Sequence, residues 1–198
     1  MDVDCDPADD GGQPGIAGDG EPFEPGTLSS IGKETTASVS LHCDPDHSVG
    51  GSGQKWILDR LQAVLDVIAD DRSKTDHSSA DLLPTRISIR VTGDREMDAA
   101  HRRWSDVPGT TDVLTFESRE DESLEIDLLL CRDEAVRRAE EFGHDIDREL
   151  LLYAVHGILH CLGHDDHEDE ARTMMHREED RLLAAVGVGA VYRPERAS

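Results

Sequence analysis

The sequence predicts an α+β fold: a single domain with a small mixed sheet of three to four strands, packed with about five helices, and a metal site at the end of a buried helix. Three observations lead there. A chain of 198 residues is long enough for one domain with a proper buried core, and two would be cramped. Short segments of alternating apolar residues are separated in some places by stretches of helical periodicity and in others by hairpin-length links. Finally, four of the ten histidines fall in the twelve residues "HGILHCLGHDDH", 156–167.

Residues 1–35 are rich in Gly, Pro and Asp and poor in large apolar side chains, so they read as a disordered acidic tail. In 36–43, Val39, Leu41 and Cys43 alternate as in a weak strand, and "GGSG" reads as a break. Trp56, Ile57, Leu61, Val64, Leu65 and Ile68 recur at helical spacing, giving an amphipathic helix over 56–68 followed by an exposed loop over 70–81. Ile87, Ile89 and Val91 mark a strand in 86–92. Asp94 is placed to cap a helix running to 104. "DVLTF" (112–116) and "IDLLLC" (126–131) are two further strands, the second apolar enough to be central. A short helix over 133–142 closes at Gly143, and another begins near Asp145 or Asp147 and ends at Gly163. A last helix spans about 168–186, with Met174, Met175, Leu182 and Leu183 facing inward. The folded domain is thus expected over 36–190, with a C-terminal tail over 191–198 and no internal repeat.

The formal net charge is -24, from 44 acidic and 20 basic residues, which argues against nonspecific adhesion to nucleic acid or anionic membrane. Any contact with nucleic acid must be local. The first residues carry neither a basic n-region nor an apolar h-region, and no run approaches the roughly 18 apolar residues of a membrane span. Cys5, Cys43, Cys131 and Cys161 are scattered without a C-x-x-C pair, the usage of free thiols in a reducing compartment. These features predict a cytoplasmic protein.

On a helix, His156 and His160 lie about 40° apart and one turn from each other, which suits two nitrogens on one tetrahedral ion. The break at Gly163 lets the chain fold back, so that a residue from His164 to His167 supplies a third ligand. Three protein ligands leave the fourth position of zinc to water, the arrangement of a catalytic site, where the ion lowers the pKa of water toward about 7. Zinc peptidases of the H-E-x-x-H class place a glutamate after the first histidine as general base. Here that position is Gly157, which can neither take nor give a proton, so ordinary metalloprotease chemistry is not expected.

"HGILHCLG", followed by an acidic and histidine-rich turn, resembles the H-G-x-L-H-x-x-G-x-D-H signature of the YbeY family, the bacterial rRNA maturation factors. Upstream, "TTDVLTF" (110–116) is similar to the family's T-D-V-L-S-F stretch, "EIDLLL" (125–130) to its G-D-I-v-I stretch with Asp127 in the aspartate position, and "AEEFGHDIDRELLLYAVHG" (139–157) fits the approach to the metal helix. The resemblance spans about 36–186 and excludes the tail. It implies a single-strand-specific, metal-dependent endoribonuclease that matures the 3′ end of 16S rRNA and takes part in late 70S ribosome quality control. It further implies one zinc ion per chain, rRNA and the 30S or 70S ribosome as partners, and no membrane or DNA partner; a ribosome-associated protein could assist.

By motif, His156 and His160 are two of the family's three ligands. The third falls at Asp166, which ligates if the register is kept; a one-residue insertion would give the role to His167 instead. His164 stands where the family has an aromatic and reads as packing or as support for the ligands; Cys161 reads as core. The family's arginine, six residues before the Thr of its T-D-V-L motif, corresponds to Ser105, with Arg102 and Arg103 just upstream as candidate phosphate contacts. Asp112 and Asp127 match motif positions and either cap turns or orient a histidine. No general base is assigned. The alternative function is a non-catalytic ribosome assembly factor whose metal site is structural.

Overall fold

The computed structural model describes residues 37–74 and 82–192. The acidic tail expected over 1–35 lies outside the described residues, as do 75–81 of the expected loop and 193–198 of the expected C-terminal tail. The order is β1 (Ser38–Cys43), α1 (Gly51–Ser73), β2 (Pro84–Thr92), α2 (Asp94–Ser105), β3 (Val113–Glu120), β4 (Ser123–Cys131), α3 (Arg132–Phe142), α4 (Ile146–Cys161) and α5 (Asp169–Ala185). Together they form one α+β domain, with a four-stranded mixed sheet in the order β1-β2-β4-β3. β1 and β4 both run parallel to β2, and β3 pairs antiparallel with β4 through a tight turn at Asp121, whose φ is 48°.

The register stacks apolar residues in rows across the sheet. Leu41 lies beside Ile89, Ile89 beside Leu128 and Leu128 beside Thr115; one row on, Cys43, Val91, Leu130 and Val113 follow. Successive strand residues point to opposite faces. Accordingly Ile126, Leu128 and Leu130 join the main core with α1, α4 and α5, while Leu129 and Cys131 meet Met97 and Ala100 of α2 on the other face. β4 is buried almost throughout, as a central strand must be.

Three local expectations are corrected. The helix expected at 56–68 extends to both sides as α1, because Gly53 packs against Val49 and Asp147 and tertiary contact overrides the weak propensity of "GGSG". Asp94 is not the cap of α2, which is Gly93; Asp94 is the first helical residue and its carboxylate takes both terminal nitrogens of Arg137, each at 2.8 Å. Met174 is 66% exposed, while Met175, Leu182 and Leu183 are buried, since neighbouring helical residues lie about 100° apart and only one of the two methionines can face the core. Val191 and Tyr192 pack against the main core. Among the described residues, no helix is long and apolar enough to cross a membrane.

Candidate metal centre

α4 is the most buried helix of the domain. From Leu150 to Leu159 only His156 escapes full burial, because sheet, α1, α3 and α5 surround the helix. Gly157 faces the sheet; a Cβ there would meet Leu128 Cδ2 at 2.9 Å, Thr115 Oγ1 at 3.0 Å and Val113 Cγ2 at 3.3 Å. At the position where a zinc peptidase carries its glutamate, even a methyl group would therefore press on three side chains of the sheet. At its C-terminal end, α4 passes through Gly163, with φ 93°, where the His164 N–H bonds back to the Leu159 carbonyl and the chain turns toward Asp166. Arg119 of β3 donates to the last helical carbonyl, that of Cys161.

The turn brings three candidate ligand residues together. His156 Nε2 and His160 Nε2 are 3.0 Å apart; His156 Nε2 lies 3.7 Å from Asp166 Oδ2 and His160 Nε2 lies 3.7 Å from Asp166 Oδ1. Ligand atoms about 2.0–2.1 Å from a tetrahedral ion sit about 3.3 Å from each other, a value these three distances bracket. Both outer ring nitrogens have acceptors: His156 Nδ1 donates to Glu179 Oε1 at 2.6 Å, and His160 Nδ1 to the His164 carbonyl at 3.1 Å. These bonds assign the Nδ1–H tautomer to both rings. In that tautomer two Nε2 atoms and a carboxylate converge on one point, a donor set that a cation between them, proton or metal, would satisfy. Burial alone disfavours a charged His156, but the hydrogen bond and charge of Glu179 outweigh it and hold its pKa above the ordinary histidine value. The field that favours a proton there favours a metal cation too.

His156, His160 and Asp166 could thus hold a metal, and a second group, Asp165, Asp166 and His167, shares one carboxylate with them. His167 itself points away: its ring pairs with Asp165 and its side chain is 84% exposed. His164 contributes through its carbonyl. Cys161 is buried and burial pushes its thiol up to about 12, so it stays protonated. Asp112 caps the start of β3, accepting from the Val113 N–H at 2.8 Å and from Thr111, and Asp127 pairs with Arg86 at 3.4 Å, away from the histidines.

A cavity of about 950 Å³ opens from His156 and Asp166, and its wall includes Asp112, Arg138, Tyr153 and Tyr192. Arg102 and Arg103 do not line it; Arg102 donates to Asp98 at 2.9 Å, and the Arg103 guanidinium lies 4.9 Å from the centre of the Trp104 ring. The guanidinium that does line it is Arg138 of α3, held by Glu134 and Glu141, and nothing in "VRRAEEF" distinguishes it from its neighbours. Glu179 also escaped sequence reasoning, yet left a signal: it lies four residues after Met175 and three before Leu182, an acid on the apolar stripe of α5. Beneath the cavity, burial pushes Glu149 up and His144 down, both toward their neutral forms.

Fold and cluster together define a class: small α+β proteins that gather two histidines and a carboxylate at the end of their most buried helix. The family model for endoribonuclease YbeY matches residues 53–187, and the chain belongs to that family. It is 36% identical over 106 residues to the endoribonuclease YbeY of Carboxydothermus hydrogenoformans, covering 52% of this chain and 73% of that one. With the endoribonuclease YbeY of Desulfitobacterium hafniense it shares 32% over 127 residues, 59% of this chain and 81% of the other. The solution structure of TM1509 from Thermotoga maritima superposes with a TM-score of 0.50 at 18% identity, over 75% of this chain and 89% of that one, a likeness of fold alone.

Proposed function

We propose that the protein is a single-strand-specific, zinc-dependent endoribonuclease of the cytoplasm that matures the 3′ end of 16S rRNA and acts in late 70S ribosome quality control, with one zinc ion held by His156, His160 and Asp166. The observation that carries the reading is the convergence of two Nε2 atoms and the Asp166 carboxylate beside an open cavity, in a chain of an endoribonuclease family. A zinc ion held there supplies Lewis acidity toward a phosphoryl oxygen and toward water. Glu179 and the His164 carbonyl keep the two rings in the ligating tautomer. His167, by contrast, is turned outward, which favours the in-register assignment to Asp166.

The net charge of -24 repels a phosphate backbone, so a ribosomal or ribosome-associated partner supplies much of the positioning. The test combines elemental analysis with cleavage of a single-stranded RNA carrying the 16S 3′ end, for the native chain, Asp166→Ala and His167→Ala. Near one zinc per chain and chelator-sensitive cutting are expected in the native protein, lost in Asp166→Ala and kept in His167→Ala. The reverse pattern would assign the ligand to His167. A native protein that holds zinc and binds the RNA but never cuts it would be an assembly factor with a structural ion.

A further inference from the structure

We propose that the stacked rings of His176 and Tyr192 form a platform for a nucleobase of single-stranded RNA entering the cavity beside His156 and Asp166. The proposal rests on the endoribonuclease reading and adds to it a means of gripping substrate. The two ring centres are 3.8 Å apart with planes inclined by 13°, and both rings line the same cavity as His156 and Asp166. Single-stranded RNA is held largely by bases stacked on aromatic side chains, a contact tolerant of sequence because every base has a π-face.

Tyr192 is held in place by a set of polar contacts from three helices. After α5 the chain doubles back, helped by Gly187 and Gly189 with φ of 78° and 83°. Arg60 of α1 donates to the Val186 carbonyl at 2.6 Å, Arg148 of α4 to the Ala190 carbonyl at 2.6 Å, and Asp180 of α5 accepts from the Val191 and Tyr192 N–H groups at 2.6 and 3.2 Å. These bonds converge on residues 186–192 and fix the ring against His176 before substrate arrives, which lowers the entropic cost of binding.

Charge explains why a neutral contact is needed there. The cavity carries Asp112, Glu134, Glu141 and Asp166, and its guanidinium, that of Arg138, is already taken by Glu134 and Glu141. Such a wall offers little to phosphate. Stacking on a base is indifferent to that excess of negative charge.

The test measures binding of the full chain to a short 2′-O-methyl oligoribonucleotide and to an abasic strand with the same number of phosphates. Tyr192→Phe keeps the ring and is expected to bind both as the native chain does. Tyr192→Leu should weaken binding of the strand with bases roughly 5- to 150-fold and leave the abasic strand unchanged; His176→Leu should shift the same ratio in the same direction. If Tyr192→Leu weakened both strands equally, or neither, the platform would be overturned while the nuclease reading stood. If the native chain bound neither strand, alone or on the ribosome, the nuclease reading would fall and the platform with it.

Discussion

Glu179 is fully buried in the domain, and a lone carboxylate there would be expensive. It is tolerated because His156 Nδ1 donates to it, and a cation between the histidines would complete the compensation. Glu179→Gln keeps an acceptor for that bond but removes the charge. Its zinc affinity should fall by about 10–100-fold, the usual effect of losing an outer-shell partner, measured by competition with a chromophoric chelator. An affinity equal to the native value would reduce Glu179 to a packing residue. The sequence offered the histidines directly, through their four-residue spacing, and Asp166, or else His167, through the family motif that it resembles. It offered Glu179 only as an anomaly on an apolar stripe, since the partner that explains it is 23 residues away on another helix.

The unit that builds the site is α4, its turn and α5. The apolar residues of "RELLLYAVHGILHCLG" made α4 legible as a buried helix, and Gly163 marked its end. That the chain can fold back there was expected, but which residue it presents to the histidines was not legible, because that depends on how the chain turns through the left-handed conformation at Gly163. No atom stands within 4 Å of the Cβ that an alanine would add there, so the cost of Gly163→Ala is conformational. That variant should lose roughly 1–2 kcal/mol of stability in urea denaturation, and bind zinc more weakly as Asp166 drifts from the histidines. Native zinc affinity together with lost stability would separate the turn from the ligand set. The same dependence on context governs α1, which reaches back to Gly51 because Gly53 packs on Val49 and Asp147.

For the whole molecule the dominant quantity is the net charge of -24. Like charges on a compact surface repel, and added salt screens them over a length of about 10 Å at 0.1 M. Raising potassium chloride from about 0.05 M to about 1 M, where that length is about 3 Å, should therefore raise the thermal midpoint, by about 2–4 °C for each kcal/mol of repulsion removed. A midpoint that falls over this range would mean that the surface ion pairs, such as Arg137 with Asp94 and Arg181 with Glu178, outweigh the repulsion.

The sequence alone determined the features that depend on near neighbours. Alternation in β2, the apolar run of β4, helical periodicity in α1 and α4, the one-turn spacing of His156 and His160, and the lack of a proton-transferring side chain at Gly157 are local patterns that any packing must respect. Tertiary structure decided what distant segments do to one another. It set the strand order β1-β2-β4-β3, turned His167 outward and Asp166 inward, supplied Glu179 from α5, and left Arg102 and Arg103 outside the cavity while Arg138 entered it. The physical reason is that periodicity tells which face of an element is buried but not against what, and a binding site is made of the contacts between elements.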